Sequence, residues 1–259
     1  MSAELTASRH NATLILTLSN PTSKNALHPD MYASAIEALS TAERDDSIRA
    51  VILTGENHFF CSGGNLNRLQ ENRDKDRAIQ DEAIEQLNGW VEALRNCTKP
   101  VIAAVDGAAA GAGFSLALAC DLIVAGSSAK FLMAYVKVGL TPDGGATWFL
   151  RQALPRQIAT EILIEGKVVL APRLYELGLV NRVVPDKGAL DAALAWADEL
   201  AELSPSAVTG IKSLIGEAEG NSLSAQLLAE KRSFVNALHH PDSEEGIAAF
   251  LDKRKPNFQ

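Results

Sequence analysis

"PVIAAVDGAAAGAGFSLALACDLIVAG", residues 100–126, holds two apolar β-rich runs on either side of a chain of very small residues. "PVIAAVDG" is expected as a strand, "AAAGAGFSLALAC" as a small-residue helix and "DLIVAG" as a further strand. Asp106 and Asp121 interrupt the apolar run, leaving only 107–120 uncharged, too short to span a bilayer. An acidic side chain in mid-membrane would also cost about 2.5–3.5 kcal/mol. The stretch is therefore expected as a tightly packed core segment.

The same order, strand then glycine-rich turn then helix, occurs earlier as "AVILTG", "CSGG" and the run from Leu66 to Asn96. That run is expected to be helical with a charged middle, "ENRDKDRA". Before it come two short strands broken near His10-Asn11 and a helix over 28–46 with Pro29 early. After residue 126 the pattern predicts helices at about 143–153, 155–165 and 172–178, then a strand in "GLVNRVVP". From Gly188 onward it is wholly helical. An α/β core over 1–195 and a helical region over 196–259 follow, the latter packing on its own core or on a neighbouring subunit.

The 259 residues carry a net charge of −8 with a pI near 5.2, which argues against a nucleic-acid partner. Cys61, Cys97 and Cys120 show no paired spacing, so neither a zinc site nor a disulfide framework is indicated. The start, "MSAELTASRH", has no basic segment followed by an apolar one. A cytoplasmic protein without membrane association is the expectation. The five histidines show no metal-ligand spacing, and Cys61 is expected as a packed thiol.

Ser62-Gly63-Gly64 and Gly111-Ala112-Gly113 each stand where a strand hands over to a helix. Backbone N–H groups at a helix start lack partners and favour negative charge, and small residues admit a ligand close to them. Two such turns facing one point would make an oxyanion hole. Equally, the glycines would serve close helix–strand packing, and spacing alone leaves both open. Neither turn is a GxGxxG or GxxxxGK[ST] motif, and no GxSxG is present.

"GLTPDGGATWFL", residues 139–150, places Asp143 in apolar surroundings with Lys137 and Arg151 as its nearest basic neighbours in sequence. Pro-Asp-Gly-Gly is turn chemistry, and Asp is a favoured helix N-cap. A carboxylate in a dry pocket is the alternative, a proton acceptor with raised pKa.

Taken together, "PTSKNAL", "FCSGGNL", "AAVDGAAAGAGFSLALACDLIVAGSSAKF", "GLTPDGG" and "AFLDKRKPNF" resemble the crotonase, or enoyl-CoA hydratase/isomerase, family over residues 5–257. The resemblance implies an α/β fold, a crotonase-like spiral of ββα units, with a helical C-terminal region supporting a homotrimer or a dimer of trimers. It implies an acyl-CoA substrate, coenzyme A being part of the thioester and no separate cofactor being needed. The backbone N–H groups of Gly64 and Ala112 would hold the thioester oxygen. Lys24, Ala26, Ser62, Leu66 and Lys253 would border the CoA, with Gly64 among them. Asn65 departs from the family, many members having Asp there.

The two glutamates with which the family's hydratases work fall on Ser115 and Tyr135, whose hydroxyls do not exchange protons near neutrality. Asp143 matches the catalytic aspartate of the branch that holds the ring-1,2-epoxyphenylacetyl-CoA isomerases of phenylacetate degradation. That branch also moves double bonds from the 3,4 to the 2,3 position. The resemblance thus implies an isomerase with Asp143 as proton shuttle and an acyl pocket at Phe114, Ser115, Met133, Tyr135 and Leu140. A hydratase or lyase with the same oxyanion hole, and a non-catalytic acyl-CoA-binding or scaffold subunit, are the rival readings.

Overall fold

A computed structural model describes residues 3–258. Strands β1 (Glu4–His10) and β2 (Thr13–Ser19) form an antiparallel hairpin whose turn is made by Asn11, at φ 50°. β2 then runs parallel to β3 (Ala50–Gly55), β3 to β4 (Val101–Val105), β4 to β6 (Leu122–Gly126) and β6 to β9 (Arg182–Val184). Parallel neighbours need long crossovers. Helices α1 (Pro29–Arg44) and α3 (Arg77–Asn96) supply two of them.

Strand alternation sends successive residues to opposite faces. Val51, Leu53, Val101, Ala103 and Val105 point into a large core shared with α1 and α3. Ala50, Ile52, Ile102 and Ala104 point the other way, onto Ala189, Ala193 and Ala197 of α8 (Ala189–Ala201). Alanine every fourth residue gives α8 a flat stripe that lies close to the sheet. The buried Asp106 carboxylate accepts from the N–H of Lys187 and Ala189, tying the start of α8 to the end of β4. The Asp121 carboxylate accepts from Val101 N at 2.8 Å and pairs with Lys212, so both acids that interrupt the apolar run are structural.

A second sheet has the order β5 (Ala108–Ala110), β7 (Lys130–Leu132), β8 (Val169–Leu170). The expected helix over "AAAGAGFSLALAC" is corrected here: its first alanines form β5, and only Ala112–Ala119 form the helix, α4. Alanine favours helix intrinsically, but β5 gains ladder partners in β7 and in Cys61. The run 66–96 likewise divides into α2 (Leu66–Arg73) and α3, because the Asp76 side chain accepts from the N–H of Ala78 and starts a new helix. Helices α5 (Ala146–Ala153), α6 (Arg156–Glu165) and α7 (Ala171–Glu176) follow.

The expected boundary at 195 falls inside α8, which belongs to the sheet's own packing. Beyond it, α9 (Pro205–Ala218), α10 (Leu223–Leu238) and α11 (Pro241–Leu251) pack on one another. Neither α9 nor α10 has a buried residue, and Phe234 and Phe250 are 70 % and 83 % exposed. Among the described residues no helix is long and apolar enough to cross a membrane.

Candidate active site

The two glycine turns meet. Cys61 donates its N–H to Ala108 O and accepts from Ala110 N, each at 2.9 Å, so the segment before the first turn pairs with β5 before the second. Contact this close excludes side chains. A Cβ on Gly63, at φ +86°, would fall 2.5 Å from Ala110 O, and one on Gly113 would fall 2.7 Å from both Cβ and O of Cys61. The glycines permit the approach that brings Gly64 and Ala112 to one cavity.

Among the described residues, neither of those N–H groups finds an acceptor. Ala112 opens α4, where the helix dipole adds to the donor. The cavity, about 50 Å³, is also lined by Asp143, Leu27, Leu69, Leu87 and Tyr32.

Asp143 is not the helix cap that its sequence context allows. Gly145, in the left-handed region, occupies the N-cap of α5, and it is the Asp143 carbonyl that accepts from Ala146 N at 3.2 Å. The carboxylate is free of the helix start. Its Oδ1 accepts the Tyr135 hydroxyl at 2.6 Å, while the Ser115 hydroxyl donates to the Asp143 carbonyl at 3.0 Å. Two hydroxyls thus hold one acidic residue, one by its side chain and one by its backbone. Gly144, at φ +57°, lets the turn pass Ser115: an added Cβ would lie 3.0 Å from Ser115 Cβ.

Burial raises the Asp143 carboxyl above the usual carboxylate range, and the Tyr135 hydrogen bond offsets part of that rise. Burial, and then the charge of Asp143, push Tyr135 far above the ordinary phenol range, so it stays a neutral donor. Replacing Tyr135 by Phe removes a lowering influence on Asp143. The acid limb of the pH–rate profile is expected to move to higher pH, with turnover at neutral pH down roughly tenfold. A profile identical to the wild type would show that this hydrogen bond does not tune the carboxylate.

The loops expected at the CoA lie side by side. Lys24 O accepts from Ser62 N at 3.1 Å, Ser62 Oγ donates to Ser23 O at 2.9 Å, and Leu27 N donates to Gly63 O at 2.8 Å. Ala26 is buried in this seam, whereas Leu66 is exposed at the start of α2. Asn65 caps α2, its side-chain oxygen accepting from the N–H of Asn67 and Arg68. The carbonyl-like Oδ1 serves here without the negative charge of an Asp. Lys253, at φ 55° just after α11, is not among the described residues that line the cavity.

The residues expected at the acyl pocket are not among those that line this cavity. Phe114 is fully buried, 5.0 Å ring to ring from Phe131, and Met133 is fully buried too, both as core residues. Leu140 is half-exposed on the surface. The apolar wall comes instead from Leu27, Leu69, Ala83, Ile84 and Leu87, with Tyr32 of α1. Sequence reasoning missed these because helix periodicity marks them only as packing positions. Cys61 is as expected: buried, with its thiol pushed up to about 12 by desolvation.

Paired sheets, crossed glycine turns and a dry carboxylate define an α/β enzyme of the crotonase fold. The family model described as enoyl-CoA hydratase/isomerase matches residues 8–259, and the chain belongs to that family. The 1,2-epoxyphenylacetyl-CoA isomerase of Escherichia coli (strain K12) is 39 % identical over 248 residues, covering 95 % of this chain and 94 % of that one. The 2,3-dehydroadipyl-CoA hydratase of the same organism is 35 % identical over 258 residues, covering 99 % of each. The crystal structure of an enoyl-CoA hydratase from Polaromonas sp. JS666 superposes with a TM-score of 0.98 at 52 % identity, over 99 % of this chain and 100 % of that one. Isomerases and hydratases are both near, and acyl-CoA thioesters are the substrates the family implies.

Proposed function

We propose that the protein is an acyl-CoA isomerase in which Asp143 moves a proton along the acyl chain. One observation carries this reading: a single carboxylate shares the cavity with the Gly64 and Ala112 amides, and the side chains at 115 and 135 are hydroxyls that hold it. With a 3-enoyl-CoA bound, the ionised carboxylate takes a proton from C2. The electron pair moves onto the thioester oxygen, where the two amides stabilise the enolate. Asp143, now protonated, returns the proton at C4, the pair re-forms the C2–C3 double bond, and nothing is added or lost. The raised carboxyl suits both halves of the cycle.

Hydration needs a second group to activate and place a water. Tyr135, held neutral, is poorly suited to that work. The similarity to the Escherichia coli epoxyphenylacetyl-CoA isomerase favours a second reading, in which the same shuttle expands an epoxidised ring to an oxepin. Lys24, Ala26, Ser62 and Leu66 are proposed to border the CoA. The exposed apolar faces of α9 and α10 support a homotrimer or a dimer of trimers, and Lys253 would meet a CoA only where such an assembly or a bound ligand closes that distance.

Product analysis tests the reaction. With a 3-enoyl-CoA and its 2-enoyl isomer, the expected result is rapid interconversion, with hydration slower by about a hundredfold or more. Fast hydration with little double-bond movement would establish the hydratase instead. No turnover of any enoyl-CoA would leave the non-catalytic binding subunit.

A further inference from the structure

The Asp143 cavity is also lined by three hydrogen-bond donors that the isomerisation does not use. They are the guanidinium of Arg68 on α2, the hydroxyl of Tyr32 on α1 and the amide nitrogen of Gln80 on α3. Among the described residues, the Arg68 side chain makes no ion pair and no hydrogen bond. The same holds for the Tyr32 hydroxyl. Gln80 accepts from Asn72 at 3.2 Å through its oxygen, which leaves its nitrogen free.

Arg68, Tyr32 and Asp143 line the same cavity. Tyr32, pushed up to about 12 by burial, feels both the lowering effect of Arg68 and the raising effect of Asp143. A half-buried guanidinium that makes no ion pair is unfavourable by itself. It becomes favourable when a ligand brings the missing charge.

Building on the acyl-CoA reading above, we infer that Arg68 is a specificity residue that receives a carboxylate at the distal end of the acyl group. The preferred substrate would then be the mono-CoA thioester of a short unsaturated dicarboxylic acid. A planar guanidinium matches a carboxylate with two parallel hydrogen bonds, and Tyr32 and Gln80 supply donors for its remaining lone pairs. A neutral oxygen would meet one donor and leave the cation unpaired. The small cavity, about 50 Å³, favours a short chain.

Binding of two unreactive saturated thioesters tests this without any turnover: hexanoyl-CoA, ending in a methyl group, and adipoyl-CoA, ending in a carboxylate. Calorimetry on the full chain is expected to show adipoyl-CoA bound about 10- to 100-fold tighter. Arg68→Met should abolish that preference with little change for hexanoyl-CoA, and Arg68→Lys should restore part of it. Free CoA, as a third ligand, should bind the wild type and Arg68→Met alike. Equal affinities in the wild type would overturn the inference, as would an equal loss for all three ligands in Arg68→Met, which would place Arg68 at the CoA. Binding of neither thioester would overturn the acyl-CoA reading itself. Tight binding of both without discrimination would overturn only the role of Arg68.

Discussion

Asp143→Asn is expected to lose turnover on 3-enoyl-CoA by about 10²- to 10⁴-fold while keeping its affinity for a saturated acyl-CoA. The amide occupies the same volume and still accepts the Tyr135 hydroxyl, so the turn built on Ser115, Gly144 and Gly145 has no reason to move. What is lost is the ability to take up and release a proton. The same variant carries a stability signature of definite sign. Because the native carboxyl lies above its usual range, folding favours its protonated form. The contribution of Asp143 is thus fully present below the ordinary carboxylate pKa and is lost as pH rises through the higher native value. At neutral pH the buried negative charge opposes folding, and Asn removes it. The melting temperature of the variant should exceed that of the wild type at pH 7, and the gap should narrow in acid. Undiminished isomerisation by Asp143→Asn would end the shuttle mechanism. An unchanged melting temperature across the pH range would show that the carboxylate is better solvated than its burial implies.

Gly63→Ala should damage fold and catalysis together. Its Cβ would meet Ala110 O at 2.5 Å in a left-handed backbone that alanine resists, so the two turns must separate. Overpacking of this kind costs about 1–3 kcal/mol. Displacing the Gly64 amide from its aim should also lower kcat by about 10²- to 10³-fold. Gly113→Ala, against Cys61 at 2.7 Å, should act in the same way from the other side. Gly64→Ala is the control for stability. A Cβ there has Leu69 Cδ1 as its nearest neighbour, at 3.8 Å, and thermal unfolding should change by no more than about 0.5 kcal/mol. If Gly63→Ala unfolds and turns over like the wild type, the crossed turns do not position the oxyanion donors.

Much of this organisation is legible along the chain. The apolar runs at β3, β4 and β6 lack alternation because helices cover both of their faces, and a run buried on both sides can be recognised without coordinates. The glycine pairs mark close approach wherever they occur. Their common destination is less legible, because β5 consists of three alanines whose strand conformation comes from Cys61 and β7 rather than from their own propensity. The cavity wall is harder still. Leu69, Ala83, Ile84 and Leu87 belong to amphipathic helices, and the same spacing serves a core or a cavity equally well. Phe114 and Met133 are fully buried in the core cluster.

By itself the sequence determined the strand and helix order of the α/β core, the two small-residue turns and the presence of one acid among apolar neighbours. Those features are local, set by side-chain volume, periodicity and the steric freedom of glycine. Only the tertiary structure decided that the Asp143 carboxylate is released from capping, that the hydroxyls at 115 and 135 secure it, and that Arg68 faces the same cavity unpaired. The physical reason is that capping, hydrogen bonding and charge pairing depend on which atoms lie within about 3 Å. Ser115, Tyr135 and Asp143, from three separate segments of the chain, reach that distance only in the folded molecule.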